Sequence, residues 1–324
     1  MKVTKKMTIF LCIFTLGLTG SAFNGHALAE EPIVVEGNGV AYPESVIHDE
    51  MADLYLVSNF GSFPPDPANP GFISRVDPEG NVVDNDWIDG LMQPKGLAIY
   101  GDILYVADVY AVRLYDRRDA SLLDIWPVPF EYNVNWLNDV AVGSDGTVYA
   151  TDSGFGFGVC GSEDPMVPCP NEAMALYKFD DDGYPTVMAE GGSLYGPNGI
   201  TTTGDSNLLV ATFFSNEIYR TNSSEKIFPV TDEVPGFALD GLVRLTDNSL
   251  LVSSWSPPAI HMINSSRKEV TTILDNDNFS EHFVDFHGNP LFNLAPAGIG
   301  FDHSRNRILI PVLNSSKVII YPME

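Results

Sequence analysis

Basic residues, cysteines, helical periodicity and long apolar runs are all scarce in this sequence. Of its 324 residues, 17 are lysine or arginine against 43 aspartate or glutamate, a formal net charge of −26 at pH 7. A surface of that sign repels phosphate polymers and anionic lipid, which excludes nucleic acid and membrane-surface partners. It suits a cation ligand or a salty medium without defining a site by itself. Apolar residues at helical spacing are nearly absent, so the class expected is all-β. The long apolar run at residues 7–18 falls short of the roughly 20 residues needed to span a bilayer. It follows Lys2, Lys5 and Lys6 and leads through small residues to Ala27-Leu28-Ala29, an A-x-A cleavage pattern. Residues 1–29 therefore read as a signal peptide and residues 30–324 as the mature domain, secreted or periplasmic, with no membrane attachment after cleavage. Cys12 lies inside the apolar run, without the small residues that precede a lipoprotein cysteine.

Against these shortages stands a repeat. Six phrases share one register: Pro43-Glu44-Ser45-Val46, Pro94-Lys95-Gly96-Leu97, Leu137-Asn138-Asp139-Val140, Pro197-Asn198-Gly199-Ile200, Leu239-Asp240-Gly241-Leu242 and Pro296-Ala297-Gly298-Ile299. Their second residues recur at intervals of 42 to 60 residues. Each phrase opens a short apolar strand, and a polar turn then leads to a stronger strand such as Leu54-Tyr55-Leu56-Val57 or Arg307-Ile308-Leu309-Ile310. Hairpin chemistry separates the two strands, as in Ser144-Asp145-Gly146 and Asp247-Asn248. Six four-stranded units of this length describe a six-bladed β-propeller, in which radial repetition leaves only short edges. The last unit has three strands before the chain stops, and Ile33-Val34-Val35 is the spare strand that would complete it beside residues 318–321 and close the ring. The wider intervals mark insertions at residues 59–71, 153–173 and 275–294. The first two follow second strands and so belong to the face where the channel opens.

In a propeller the first strand of each unit lines the axis. The ring at the second phrase position reads Glu44, Lys95, Asn138, Asn198, Asp240, Ala297. Four members offer side-chain oxygen and none offers sulfur or imidazole, which suits a hard divalent cation, calcium (Ca2+) before magnesium, and disfavours zinc. Lys95 has two readings: neutralising Glu44 or another channel carboxylate, or binding an anionic substrate group or a developing oxyanion. The ends of the second strands supply candidates for the entrance: Asn59, Asp108, Asp152, Phe213, Phe214 and Trp255. Of these, Asp108, Asp152 and Trp255 join Lys95 as candidate substrate-binding residues. His287 precedes unit six and reads as a surface histidine, while His48, His261 and His303 fall near turns or outer strands. Asn222, Asn264, Asn278 and Asn314 each begin an N-x-S sequon.

The phrases around Glu44, Asn138, Asn198 and Asp240 resemble the metal-binding phrases of the regucalcin, gluconolactonase and luciferin-regenerating-enzyme superfamily, over essentially the whole mature chain. Diisopropyl-fluorophosphatase and the paraoxonases share that plan more distantly. The resemblance implies a six-bladed propeller that hydrolyses lactones or phosphotriesters with a divalent cation in the channel. It implies that Glu44, Asn138, Asn198 and Asp240 are the metal ligands. In the fluorophosphatase branch, the aspartate matching Asp240 is assigned the nucleophile, which makes Asp240 the catalytic candidate. Two family features are not located in this sequence: the arginine that regucalcin-like members use for sugar lactones, and the paraoxonase His pair. The function expected is an exported, monomeric, metal-dependent hydrolase of a small-molecule lactone or related ester. The alternative is a non-catalytic calcium-binding propeller that binds a ligand or a protein.

Only Cys160 and Cys169 remain after residue 29, inside the second insertion. An even pair in an exported chain reads as one disulfide closing a loop, with two free thiols as the alternative. Thiol labelling of the unreduced mature protein should therefore find no reactive cysteine, and labelling of both without a reductant would rule the crosslink out.

Overall fold

The computed structural model describes residues 30–63, 65–154, 174–191, 194–204, 207–221, 227–230, 234–264, 269–275 and 295–323. Cys160, Cys169 and His287, the signal segment and most of the second and third insertions lie outside the described residues. The unit Glu31–Glu324 carries six four-stranded antiparallel sheets among the described residues, arranged as a six-bladed β-propeller. Innermost strands are Pro43–Asp49, Pro94–Tyr100, Leu137–Val142, Pro197–Thr202, Phe237–Arg244 and Gly300–Asp302. Second strands are Leu54–Asn59, Ile103–Asp108, Val148–Asp152, Leu208–Thr212, Leu250–Ser256 and Arg307–Val312.

The second strands are apolar at successive positions rather than alternately, and the packing explains why. A strand sends neighbouring side chains to opposite faces, and in a ring of blades both faces meet another blade. Ile308 and Ile310 pack toward blade five, whereas Leu309 between them packs with Val46, Tyr55 and Val57 of blade one. Leu56 likewise faces Leu97, Leu104 and Val106 of blade two. The ring closes as the sequence implies: Ile33, Val34 and Val35 pair with Ile320, Ile319 and Val318.

The innermost strands approach so closely that some positions must be glycine. A Cβ on Gly199 would lie 2.2 Å from the Asp240 carbonyl oxygen, and one on Gly241 would lie 2.3 Å from the Ile299 nitrogen. In blade six the phrase itself is not part of the strand, which starts at Gly300. There Gly298 donates to the Glu44 carbonyl at 2.7 Å and accepts from Val46 at 3.1 Å. The backbone thus turns sideways to blade one instead of to its own hairpin partner, and only the bridge Pro296↔Val312 keeps the expected pairing.

At the far end of the channel, blade six is bolted to blade one through the buried Asp302. It accepts from the Tyr55 hydroxyl at 2.7 Å, from the Ser304 amide and hydroxyl at 2.9 and 2.6 Å, and from the Arg305 guanidinium at 3.1 Å. Burial alone would raise its pKa, but the hydrogen bonds from Ser304, Tyr55 and Arg305 outweigh it and hold the carboxyl well below the usual carboxylate range. Because the folded pKa is depressed, this stabilisation is present above the unfolded pKa of about 4 and is lost as pH falls further. Asp302→Asn should cost about 2–3 kcal/mol at neutral pH, with the gap to the parent shrinking in urea melts below about pH 4. Melts that stay equally far apart down to the acid limit would show that the charge is not what holds the seam.

Candidate active site

Each of the first five innermost strands breaks register with its partner at the ring phrase. The shifts fall between Pro43 and Ser45, Pro94 and Leu97, Leu137 and Val140, Pro197 and Ile200, and Leu239 and Leu242. A bulge leaves an extra residue unpaired and re-aims its side chain, and at each shift the residue concerned is a ring member. Hydroxyls on alternate second strands satisfy the amides that the bulges free. Ser45 N donates to Ser58 Oγ at 2.9 Å, Asp139 N to Thr151 Oγ1 at 3.0 Å and Gly241 N to Ser253 Oγ at 2.8 Å. Thr151 and Ser253 then donate to the carbonyl of the next blade's ring residue, Asn198 at 2.7 Å and Ala297 at 2.8 Å. The equivalent positions in blades two, four and six hold Ala107, Ala211 and Pro311. This alternation is visible in the sequence but carries no meaning until the bulges are known.

Glu44, Lys95, Asn138, Asn198 and Asp240 are all buried, from 0 to 4 % exposed. The Glu44 carboxyl is pushed well above its ordinary pKa by burial, then by Asp240 and Asp139, with Lys95 opposing. Asp240 is raised by burial and by Asp139, with the Trp255 indole and the Asn198 amide opposing. Asp139, the residue beside Asn138, is raised by burial to about 7 although it accepts from Val140 N at 2.8 Å and Ile200 N at 2.9 Å. Sequence reasoning passed over Asp139. The signal for it was its position, because the other phrases carry serine or glycine there.

Lys95 is lowered by burial to about 8, with Glu44, Asp108 and Asp152 opposing. Its ammonium donates to the carbonyls of Leu137 at 2.9 Å and Gln93 at 3.3 Å and lies 4.2 Å from the Trp136 ring centre. Lys95 thus opposes the rise of Glu44, and with Glu44 and Asp240 both ionised the ring carries one more negative than positive charge. Both side-chain polar atoms of Asn198, and the Trp255 indole nitrogen, have no hydrogen-bond partner of standard geometry although they face Asp240. Among the described residues no three His, Cys, Asp or Glu side chains are grouped to hold a metal. The ring's own set of two carboxylates and two amides, with its orphaned amide oxygen and its net negative charge, fits a hard divalent cation.

The other candidates separate into two groups. Asp108 accepts from the amides of Met92 and Gln93 and from Arg113 Nε, and Asp152 accepts from the amides of Asn135, Trp136 and Gly154. Asn59 accepts from Ala41 N in the same way. These side chains fix the loop that leads into each ring phrase, so Asp108 and Asp152 are engaged by the chain's own donors rather than turned toward a substrate. Burial raises Asp152 to about 6 despite the three amides. Trp255, Phe213 and Phe214 do gather above the ring, together with Phe60 and Trp136, which the sequence did not single out. His48 and His303 line a cavity of about 310 Å3 at the opposite mouth, and His261 is bonded to Thr272 in blade five.

No protein-family model and no curated protein matches the chain. Solved structures do. One, of unknown function, comes from Bacteroides thetaiotaomicron, with a TM-score of 0.65 and 11 % identity over 91 % of this chain and 77 % of that one. Another is a gluconolactonase from Xanthomonas campestris, with a TM-score of 0.61 and 16 % identity over 91 % of each chain. A third is an inactive variant of virginiamycin B lyase from Staphylococcus aureus with quinupristin, with a TM-score of 0.55 and 14 % identity over 91 % of this chain and all of that one. The class so defined is the six-bladed propeller. The gluconolactonase agrees with the resemblance carried by the ring phrases, and identities this low show the fold alone.

The Lys95 environment has a measurable consequence in chelator-treated protein. Its folded pKa of about 8 lies below the unfolded value, so between those two values the unfolded chain binds more protons and stability rises with pH, by about 3 kcal/mol in all. Lys95→Met should lack this rise when urea melts are compared from pH 7 to about 10.5. Parent and variant curves of the same slope would mean that the ammonium is not strained by burial.

Proposed function

We propose that the chain is an exported, divalent-metal-dependent hydrolase of the lactonase type, with Glu44, Asn138, Asn198 and Asp240 holding calcium, or magnesium in its place. The observation that carries this reading is the buried set of four oxygen donors, two of them carboxylates facing the single Lys95 ammonium, with an orphaned Asn198 amide. The gluconolactonase among the solved structures supports the lactone as substrate class, and the basic, apolar, A-x-A start of the chain supports export.

A bound cation would supply Lewis-acid polarisation of the ester carbonyl. Asp240, flanked by the Trp255 indole and the Asn198 amide, would take a proton from water as the new oxygen–carbon bond forms. The acyl carbon–oxygen bond of the ring then breaks, and the departing alkoxide takes a proton to leave a hydroxy acid. Direct attack by the Asp240 carboxylate, which would release the ring alkoxide and form an acyl-aspartyl anhydride that water then cleaves, gives the same products. Lys95, held by two carbonyls beneath Trp136, offsets part of the carboxylate charge without leaving its place. The second reading, a structural cation in a ligand-binding propeller, is favoured by the ring being 4 % exposed at most.

Two substitutions separate these readings. Asp240→Asn keeps an oxygen but removes the proton acceptor, and should abolish lactone hydrolysis at saturating calcium. Asn198→Asp should bind calcium at least as tightly as the parent and keep some turnover. Under the structural reading both changes move the calcium-dependent melting temperature, because a ligand of the folded state stabilises it by mass action, and no turnover exists to lose. Calcium affinity, melting temperature and lactonase rate on the three proteins decide. Full activity in Asp240→Asn would end its catalytic assignment, and a parent that binds no divalent cation would end the site.

A further inference from the structure

Directly above the ring lies a layer of aromatic side chains, and its chemistry points to what sort of lactone the site would take. On the Lys95 side, Phe60 stacks on Phe63 at 6.1 Å and meets Trp136 edge-on at 6.4 Å, while the Lys95 ammonium lies under Trp136. On the Asp240 side, Phe213 meets Trp255 at 5.2 Å and Phe214 at 5.3 Å, both edge-on. Trp136 and Trp255 are partly buried members of both apolar clusters, so the two halves form one layer across the axis. Phe60 and Phe213 are buried beneath it, and Phe63, Phe214, Trp136 and Trp255 keep part of their surface exposed.

Resting on the hydrolase reading above, we infer that this layer is a subsite for an apolar substituent, so that the site takes a lactone bearing an aryl or alkyl side chain rather than a polyhydroxylated sugar lactone. A sugar lactone brings several hydroxyls, each of which is costly to bury without a partner. Three charged groups near the layer, Lys95, Asp108 and Asp152, are already engaged. Lys95 donates to Gln93 and Leu137, and the carboxylates of Asp108 and Asp152 accept backbone amides. Among the described residues, the polar groups beside Asp240 without a partner of standard geometry are the Trp255 indole N–H and the Asn198 amide at the floor. That is enough for the ester oxygens of one lactone and too little for a ring of hydroxyls. The aromatic faces, by contrast, gain from every methylene they cover.

The test uses the calcium-loaded mature protein and two independent readouts. In the first, tryptophan fluorescence follows the binding of unreactive lactams, one with a hexyl or phenyl side chain and one derived from gluconic acid. The hexyl and phenyl lactams should bind and perturb the emission of Trp136 and Trp255, and the gluconic lactam should bind at least tenfold more weakly. In the second, kcat/KM is measured across δ-lactones of increasing side-chain length and for glucono-δ-lactone. It should rise by about fourfold per added methylene until the layer is covered. Phe63→Ala and Phe214→Ala should each lower kcat/KM for the hexyl lactone several-fold more than for the methyl lactone, with calcium affinity at the parent value.

Preference for the gluconic compounds in either readout would overturn the subsite and leave the hydrolase reading standing. Binding of the hexyl lactam without hydrolysis of any lactone would keep the subsite and remove the hydrolase. Failure of both hydrocarbon lactams to bind would overturn the subsite whatever the activity.

Discussion

Two buried carboxylates, Glu44 and Asp240, share the axis of this propeller with the buried Lys95 ammonium, and such a group persists only where the backbone around it is held rigidly. Removing one partner from a buried charge cluster typically costs several kcal/mol because the others cannot find new counter-charges. The fold meets that demand three times over. Bulges turn the ring side chains inward, Ser58, Thr151 and Ser253 satisfy the amides the bulges free, and glycines at 199 and 241 let neighbouring strands close up. Burial and mutual repulsion favour protonated Glu44 and Asp240 when no cation is present. Electrostatics and backbone geometry at the axis are therefore one problem, and the strand register is its solution.

That register is also why so much of the molecule could be read beforehand. A ring residue is fixed by its place in a repeated phrase, and six phrases in phase leave little freedom in blade number or in which side chains meet at the axis. The second strands were legible because burial on both faces demands an unbroken apolar run, as in Leu208-Leu209-Val210-Ala211. The closing strand was legible because the sixth unit was one strand short. Contacts that depend on which way a side chain turns were not. Asp108 and Asp152 sit at the height expected for entrance residues, yet the loop amides beside them need acceptors and take them first. Asp139 was hidden by the phrase itself, since attention fell on its second position and the departure lay at the third.

Trp136 illustrates a different limit. Its nearness to Asn138 in sequence says nothing of its partners, which come from other blades: Lys95 of blade two and Phe60 of blade one. A repeat pattern describes each blade separately, whereas the layer above the ring exists only when side chains of different blades converge. The same holds at the other mouth, where Tyr55 of blade one finds Asp302 of blade six across 247 positions of sequence. The ring's closure and its candidate chemistry thus depend on separate networks at opposite ends of the channel, so a lesion at the seam and a lesion at the axis should be distinguishable in kind.

The structural likeness to both a gluconolactonase and a lyase shows how little the architecture alone decides. What a propeller offers any chemistry is a set of side chains at one height around an axis, and the reaction follows from their charge and from what covers them. Here the covering is aromatic and the floor is acidic. An apolar wall above buried carboxylates lowers the local dielectric and so strengthens every charge interaction beneath it. That makes the uncompensated charge harder to leave bare and makes the directional donors, the Asn198 amide and the Trp255 indole, more valuable to whatever carbonyl comes within reach. The aromatic layer and the charged ring are best understood as a single device, in which the wall sets the strength of the floor as well as the identity of what can rest on it.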